Sequence, residues 1–262
     1  KNFEFFGVLC FLILVFHLNA QNPLSPHGHS HNDYTRKRPL YDALANGFQS
    51  IEVDIFYNRD ELIVSHTHTF LFWKKTLEEL YIQPLDSIFK KQGHFFQPDN
   101  VPLILYIDTK NENDVICKKL IEIAQRHPRL FTRWENGEKI PGPIQLLSTC
   151  YHLEKDSLRF IQKNGGLGEI EKNISSEIFP RVNAAFRSQF KWRGRKAMPS
   201  DQKAMLKEWV QKAHAHDREI RFWSAGNREK VWRQLLDSGV DWINVDKLED
   251  YRGFYLKYQL VN

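Results

Sequence analysis

The sequence predicts an α/β protein of the (β/α)8 TIM-barrel class, folded as a single domain. After residue 25, short apolar or β-branched runs alternate with amphipathic stretches, which is typical of parallel strands joined by helices. Eight such strand–helix units would fit the roughly 235 residues available, which is the arrangement of a (β/α)8 barrel. The alternative is an open doubly wound sheet. The chain lacks a glycine-rich turn followed by a ribose-binding acid, which counts against a dinucleotide fold.

The same alternation places the individual elements along the chain. Gly47 and Gly239 stand where two of the predicted helices should end. The glycine cluster at residues 165–168 follows no clear strand, so it is predicted to be a flexible loop. The predicted strands are residues 50–57, 61–66, 101–108, 144–148, 178–183, 220–224 and 241–245, and the predicted helices include residues 40–46, 76–89, 114–127, 200–215 and 228–237.

Composition and charge narrow the classes of partner. The chain has 262 residues, of which 42% are hydrophobic and 26% charged, enough apolar material for a sizeable core. Its net charge of +5 is spread along the chain, with one denser basic stretch at residues 191–196. Such a spread is weak evidence for nucleic acid, and no nucleic-acid partner is predicted. It suits an anionic small substrate or an anionic membrane surface equally well.

The first twenty residues differ from the rest of the chain. Residues 5–16 are almost wholly apolar, Lys1 precedes them, and a small residue, Ala20, comes just before Gln21. This is the pattern of a secretory signal peptide, so residues 1–20 are predicted to be a signal and residues 21–262 the barrel domain of a secreted or periplasmic protein. A short membrane anchor and a buried N-terminal helix are the alternatives.

The cysteines leave one question open. Cys10 lies in the predicted signal, Cys117 in a predicted helix, and Cys150 just after a predicted strand. Two cysteines in an exported protein can pair, but two free buried thiols fit the sequence equally well.

The run at residues 51–55 contains a pair of acids. Side chains alternate across a strand, so Ile51, Val53 and Ile55 share one face while Glu52 and Asp54 share the other. Two neighbouring carboxylates repel each other and lose hydration unless a cation lies between them. Oxygen ligands suit Mg²⁺ or Ca²⁺. The alternative is an edge strand with a solvated polar face.

A second predicted strand has the same pattern, with apolar residues on one face and charged residues on the other. Leu103, Leu105 and Ile107 lie on one face, while Asp108 and Lys110 lie on the other, at the carboxyl end of the strand. Asp108 can complete a metal site, and Lys110 can hold a phosphate oxygen as a point charge. The alternative is a surface salt bridge.

Histidines are concentrated in the first third of the chain. His27, His29 and His31 alternate before an Asn-Asp-Tyr sequence, and His66 and His68 follow the next apolar run. A histidine at a strand end suits proton transfer near neutral pH. No helical His-x-x-x-His pair and no useful cysteine spacing point to zinc.

These motifs together carry a resemblance. The segment HSHNDYTRKRPLYDALANGFQSIEVDIFYNRDELIVSH resembles the opening of the superfamily of phosphatidylinositol phospholipase C-like and glycerophosphodiester phosphodiesterase proteins, in the branch with an H-N-D-Y opening. Residues 190–194, 213–227 and 232–246 also fit, so the resemblance spans roughly residues 25–255.

The resemblance implies a barrel that cleaves phosphodiesters with one divalent cation, Mg²⁺ or Ca²⁺. The substrate would be a small-molecule or lipid phosphodiester of the glycerophosphodiester or phospholipid type. By position in the motifs, the implied catalytic residues are His31 and His66, the implied metal ligands are Glu52, Asp54 and Asp108, and the implied substrate-binding residues are Asn32, Lys110 and Trp223.

Two positions depart from the glycerophosphodiesterase pattern. Asn32 follows His31 where that signature has arginine, and Thr67 follows His66 where it has aspartate. The particular phosphodiester is therefore left open. His29 competes with His31 for the first catalytic role, and His31 is preferred because it abuts the Asn-Asp-Tyr motif.

Further alternatives remain at this point for the reaction and for two segments of the chain. The barrel could release a cyclic phosphate as a lyase, or bind a phosphorylated ligand without turnover. Residues 70–75 combine aromatic residues with lysines, which predicts either a peripheral membrane contact or a loop packed on the barrel rim. The basic residues 191–196 either steer an anionic substrate or form a solvated loop.

Overall fold

Eight strands of the chain run parallel and form a closed ring. The computed structural model describes residues 24–25, 27–96, 101–150 and 158–261. In these residues the strands are β1 (Gly28–Ser30), β2 (Ser50–Asn58), β3 (Glu61–Val64), β4 (Leu103–Thr109), β5 (Arg133–Glu135), β6 (Glu138–Ile140), β7 (Ile144–Ser148), β8 (Leu158–Arg159), β9 (Ile161–Gly166), β10 (Arg181–Ala185), β11 (Glu219–Trp223) and β12 (Trp242–Val245).

The ring order is β1, β2, β4, β7, β9, β10, β11, β12, and β1 pairs in parallel with both β2 and β12. This closure confirms the predicted single-domain (β/α)8 barrel. Strand β3 lies outside the ring and pairs antiparallel with β2 as a hairpin. A separate antiparallel sheet contains β5, β6 and β8.

Helices connect most of the ring strands and cover the outside of the barrel. A π-helical turn at Glu78–Ile82 leads directly into α2, and short 3-10 turns lie at Asp33–Thr35, Leu71–Trp73 and Leu167–Glu169. The α-helices of the described residues are α1 (Tyr41–Ala45), α2 (Gln83–Gln92), α3 (Asn113–Arg126), α4 (Phe186–Gln189), α5 (Ser200–His214), α6 (Glu229–Asp237) and α7 (Leu248–Gln259).

The two faces of each ring strand have different surroundings. On β2, Ile51, Val53 and Ile55 belong to the main apolar core between strands and helices. Glu52 and Asp54 face the barrel interior and are buried. The solvated edge strand considered from the sequence is therefore wrong for β2, because the strand is paired on both sides.

The barrel interior is mostly polar and is crossed by hydrogen bonds. Arg181 on β10 donates to Ser50 Oγ on β2 (3.2 Å), and Asn164 on β9 donates to the Tyr106 hydroxyl on β4 (3.3 Å). These strands are not neighbours in the ring, so the bonds span the interior. A small apolar cluster of Ile104, Tyr106, Leu147 and Trp242 accompanies them.

One ring strand, β9, was not predicted because its inward-facing residues are polar. Strand β9 reads IQKNGG, and its inward residues Gln162 and Asn164 are polar although they are buried. The predicted flexible loop at residues 165–168 is wrong, since Gly165 and Gly166 end β9. A Cβ at Gly165 would lie 2.6 Å from Phe179 Cζ, so this strand position has no room for a side chain.

Several other elements differ from the prediction, and the short strands β1, β5, β6 and β8 all lie outside the predicted strands. The strand predicted at residues 178–183 is observed at Arg181–Ala185, so it begins three residues later and ends two residues later than predicted. Helix α7 at Leu248–Gln259 lies outside the predicted helices, and its buried face is aromatic, with Tyr251, Phe254 and Tyr255 in the core.

A disulfide joins Cys117 on α3 to Cys150 after β7, with a Cα–Cα distance of 5.8 Å. Both residues are buried. The question that the sequence left open is answered in favour of a pair, because the helix covers the strand end at this point.

Reduction of this disulfide is expected to lower the free energy of unfolding by about 3–4 kcal/mol, since the bond closes a loop with a sequence separation of 33. Urea unfolding with and without a reductant measures the change. A Cys117→Ser/Cys150→Ser variant serves as the control and should not respond to the reductant. Equal midpoints for the oxidised and reduced wild type would contradict the prediction.

The predicted signal peptide at residues 1–20 lies outside the described residues. Within the described part of the chain, no helix has both the length and the hydrophobicity that a bilayer crossing requires.

Candidate active site

Three carboxylates converge at the carboxyl end of the barrel. Glu52 and Asp54 project inward from β2, and Asp108 projects inward from the end of the neighbouring strand β4, where it is directly opposite Asp54 in the strand register. One oxygen from each of the three lies within 4.8 Å of the others. The structure thus brings together the three predicted metal ligands.

Burial sets the electrostatics of this carboxylate cluster. Burial raises the pKa of Asp108 above its usual value, although the Lys110 ammonium opposes the rise. Burial alone would also raise the pKa of Glu52, but Arg221 and His29 outweigh it and hold that pKa well below its usual range. Glu52 is therefore ionised at neutral pH, the form in which a carboxylate binds a cation.

The ligand set fits a hard divalent cation. Asp54 Oδ2 accepts hydrogen bonds from Tyr34 Oη (2.8 Å) and His66 Nδ1 (2.6 Å), whereas Asp54 Oδ1 is buried and has no hydrogen-bond partner among the described residues. A buried carboxylate oxygen without a partner costs free energy, and a cation would remove that cost. Three carboxylates without sulfur or imidazole in the cluster favour Mg²⁺ or Ca²⁺.

Lys110 lies against the same carboxylates. Its Nζ is 2.6 Å from Asp108 Oδ2 and 3.1 Å from Asp54 Oδ2. The lysine is thus within reach of an anion bound at the cluster, and it offsets part of the carboxylate charge when none is bound.

His31 lies directly after β1 on the rim of the barrel. Its Nδ1 is 2.6 Å from Asp246 Oδ1, just after β12, and its Nε2 is 3.9 Å from Glu52 Oε1. The hydrogen bond from His31 lowers the pKa of Asp246, and Asn227 Nδ2 donates to the other Asp246 oxygen (2.6 Å). Because a carboxylate only accepts, Nδ1 carries the proton and Nε2 faces the carboxylate cluster.

His66 lies on the other side of the cluster, after β3. Its Nδ1 is 2.6 Å from Asp54 Oδ2, and its side chain is 61% exposed. The two histidines therefore share one arrangement: each has Nδ1 bound to a carboxylate, which leaves Nε2 free for proton exchange.

His29 is in a different environment from His31. It is fully buried between Ser50 Oγ and Glu52 Oε2 (2.7 Å each) and also contacts Arg221. Burial and the Arg221 charge lower the pKa of His29 to about 3, so the ring stays neutral at neutral pH. A buried neutral ring cannot exchange protons with a substrate, which leaves His31 as the better candidate.

The Asn-Asp-Tyr motif has a structural basis. The Asp33 carboxylate accepts hydrogen bonds from Ser30 Oγ (2.8 Å), the Leu40 amide (2.6 Å) and the Tyr81 hydroxyl (2.9 Å). These bonds hold the turn that follows His31, and the next residue, Tyr34, then reaches Asp54.

The remaining predicted site residues lie on the same rim. Asn32 has a left-handed backbone (φ 48°), and its Oδ1 lies 3.2 Å from the Tyr34 hydroxyl, whose proton is shared with Asp54. Trp223 ends β11 and is 42% exposed. Both are available to a substrate at the mouth of the barrel, but neither contacts the carboxylate cluster through a described hydrogen bond.

Three residues near the cluster have roles that were not predicted from the sequence. Arg221, Asp246 and Tyr34 hold Glu52, His31 and Asp54, respectively. Strand alternation offered one signal, because Arg221 and Trp223 share the inward face of β11. The carboxyl end of β12 offered a second, because Asp246 follows it directly. Neither pattern predicts which side chain the residue contacts, because those contacts form only when the barrel closes.

Comparisons with known proteins identify the family to which the chain belongs. The family model of the AIM6-like phosphodiesterase domain matches residues 20–154. The "Altered inheritance of mitochondria protein 6 homolog" of Arthroderma benhamiae is 26% identical over 87% of this chain and 83% of that protein. "Altered inheritance of mitochondria protein 6" of Eremothecium gossypii is 25% identical over 88% of this chain and 70% of that protein.

Among solved structures, a glycerophosphodiester phosphodiesterase from Parabacteroides distasonis superposes with a TM-score of 0.55 and 14% identity, covering 90% of this chain and 99% of that one. A likeness at this identity supports the barrel fold and leaves the substrate open. The family match covers the segment that holds both histidines and all three carboxylates. The chain therefore belongs to the AIM6-like phosphodiesterase domain family.

Proposed function

We propose that this protein is a metal-dependent phosphoric diester hydrolase that acts on a glycerophosphodiester-like or phospholipid-like substrate. The observation that carries the proposal is the carboxylate cluster at the barrel mouth, flanked by two histidines whose Nδ1 atoms are both fixed by carboxylates. Membership in a phosphodiesterase domain family supports the same reaction class.

Glu52, Asp54 and Asp108 would hold one divalent cation, Mg²⁺ or Ca²⁺. When bound, such a cation supplies positive charge that neutralises a non-bridging phosphate oxygen as negative charge builds up. Lys110 lies 2.6 Å from Asp108 and adds a second positive charge on the same side.

Proton transfer is assigned to His31 and His66. One removes a proton from the attacking water or hydroxyl through Nε2, and the other donates a proton to the leaving oxygen. Asp246 and Asp54 keep each ring in the required tautomer by accepting from Nδ1. Asn32 and Trp223 lie at the mouth, where they would contact the alcohol groups of the substrate.

Removal of the metal is expected to reduce hydrolysis to background, because the three carboxylates then repel the phosphate. A panel of glycerophosphodiesters, lysophospholipids and inositol phosphodiesters, assayed with and without a chelator, measures this. Adding back Mg²⁺ and Ca²⁺ separately should restore the rate and identify the preferred ion. Full activity of the metal-free protein would contradict the proposal. Phosphorus NMR of the products distinguishes hydrolysis from release of a cyclic phosphate.

We also propose that the protein is exported, to a secreted or periplasmic location. The signal-like pattern of residues 1–20 supports this, as does the Cys117–Cys150 disulfide, since disulfides persist in oxidising compartments.

A peripheral membrane contact is proposed at the aromatic turn after His66. Leu71 packs into an apolar cluster with Phe56 and Ile63 and thereby anchors the turn. The neighbouring Phe72 and Trp73 point outward with 62% and 78% exposure. Exposed lysines at positions 74 and 75 follow directly, and a turn with aromatic and basic side chains suits an anionic lipid surface.

A Phe72→Ser/Trp73→Ser variant is expected to bind liposomes containing an anionic lipid several-fold more weakly than the wild type, because each change removes exposed apolar area. Liposome sedimentation measures the difference. Leu260→Ser/Val261→Ser, which changes two exposed apolar residues beyond the end of α7, is the matched control. Equal sedimentation of the wild type and the aromatic variant would discard the membrane contact.

A further inference from the structure

A cleft with strong positive charge lies between the segment that follows β10 and the loop that follows β11. Its volume is about 680 Å³. Of the twelve described residues that line this cationic cleft, six are basic and none is acidic. The basic residues are Arg187, Lys191, Arg193, Arg195, Lys196 and Arg228.

No described carboxylate lies within ion-pair distance of these six basic side chains. Among the described residues, none of the six forms an ion pair, whereas many other surface cations are paired, for example Lys119 with Asp60 (2.8 Å) and Arg126 with Glu78 (2.7 Å). Like charges gathered around one concavity repel each other and raise the local positive potential. An anion in the cleft would relieve that repulsion.

The cleft wall is held by contacts rather than left as a solvated loop. Gln202 Oε1 accepts from the backbone amides of Lys191 and Trp192 (2.9 Å each), and the buried Trp192 donates from its indole to Lys196 O (2.9 Å). Gly194 has a φ of 77°, and a Cβ there would lie 2.6 Å from Val231 Cγ2. These contacts fix the backbone that carries the basic side chains, and Arg193 also donates to Phe190 O (2.6 Å) and Trp192 O (2.9 Å).

The cleft adjoins the candidate active site through Asn227. This residue lines the cleft, and its side chain donates to Asp246 Oδ2 (2.6 Å). Asp246 in turn holds His31 at 2.6 Å. One wall of the cleft is therefore only two side chains away from a proposed catalytic histidine.

We propose that the cationic cleft is a second anion subsite, which binds a phosphomonoester group carried by the same substrate whose phosphodiester lies at the carboxylate cluster. This assignment rests on the proposed function for its link to turnover. The concave shape favours a small dianionic group over a flat membrane surface, and several Lys and Arg side chains match the oxygens of a phosphate. The protein would then prefer phosphodiesters that carry an additional phosphate.

The first test measures binding without turnover. Inorganic pyrophosphate is titrated calorimetrically into the metal-free full chain at low ionic strength. An Arg187→Gln/Arg195→Gln/Lys196→Gln variant is compared with Lys118→Gln/Arg129→Gln/Lys257→Gln, which removes the same charge from exposed positions elsewhere. The wild type and the control are expected to bind one pyrophosphate, and the cleft variant about tenfold more weakly or worse. Absence of binding to the wild type, or equal binding by the cleft variant, overturns the subsite.

The second test connects the cleft to the substrate. The ratio of kcat/KM for glycerophosphoinositol 4-phosphate to that for glycerophosphoinositol is expected to exceed one and to fall about tenfold in the cleft variant. If the cleft variant has the same ratio as the wild type, the cleft does not contact the additional phosphate of the substrate. The link is also overturned if the protein cleaves other phosphodiesters but neither of the two glycerophosphoinositols. Cleavage of no phosphodiester at all would refute the proposed function, while the calorimetry would still decide whether the cleft binds an anion. Cleft-dependent binding to phosphatidylserine vesicles, without pyrophosphate binding, would identify a membrane surface and overturn the subsite.

Discussion

Replacing either His31 or His66 with alanine is expected to lower kcat by about 10²–10⁴-fold, the range that a positioned general acid or base contributes. Each ring has its Nδ1 on a carboxylate, and Nε2 is the only nitrogen left for proton exchange. Alanine removes that nitrogen and leaves the carboxylate cluster in place. Steady-state kinetics with the preferred substrate of the panel measures the loss.

His27 and His68 provide matched controls. His68 follows His66 on the same rim, where it contacts the Phe56 ring, and His27 bonds to Asp241 O. Neither touches the carboxylate cluster through a described contact, so their alanine variants should keep kcat within a few-fold of the wild type. Unfolding midpoints close to the wild-type value would show that the fold is retained. Full activity of His31→Ala or His66→Ala would remove that residue from the mechanism.

An Arg221→Leu substitution is expected to lower the free energy of unfolding by about 3–5 kcal/mol, the usual cost of breaking a buried ion pair from one side. Arg221 and Glu52 are both buried, and their closest N–O distance is 2.5 Å. Leucine would leave the Glu52 charge inside the barrel without its main counter-charge. Urea unfolding of the metal-free protein measures the effect.

A double-mutant cycle separates the charge from the packing. Glu52→Gln removes the stranded charge, so Glu52→Gln/Arg221→Leu is expected to recover at least half of the stability lost in Arg221→Leu. If Arg221→Leu does not fold, the recovery of a folded double variant carries the same information. Additive losses in the two single variants would show that the ion pair is not coupled and would contradict the prediction.

The positions of the carboxylate ligands could be predicted from strand periodicity, whereas the roles of the histidines could not. Alternation along residues 51–55 and 103–110 was sufficient to place Glu52 and Asp54 on one face and Asp108 at a strand end. Parallel pairing of β2 with β4 then sets Asp54 opposite Asp108. The assignment of His31 and His66 depended on the resemblance to a phosphodiesterase superfamily, because a histidine after an apolar run is by itself a common loop residue.

Some elements could not be predicted for a physical reason. Strand β9 has polar residues on its inward side, and a polar barrel interior removes the apolar signal by which a buried strand is normally found. Gly165 and Gly166 resemble loop residues in sequence, yet at Gly165 the side chain of Phe179 fills the space that a Cβ would need.

The sequence by itself determined the α/β class, the alternating faces of its strands and the acidic positions at the strand ends, because these depend on local periodicity. Periodicity left the open doubly wound sheet as an alternative to the barrel, and closure of the ring excludes it. Tertiary structure decided which charges meet. Closure of the ring brings Arg221 to Glu52 and Asp246 to His31 across 169 and 215 residues of chain, respectively. It also distinguishes the buried, neutral His29 from His31 two residues later, whose side chain is half-buried at the rim. Electrostatic environment depends on the surroundings in space, and these exist only once the barrel has closed.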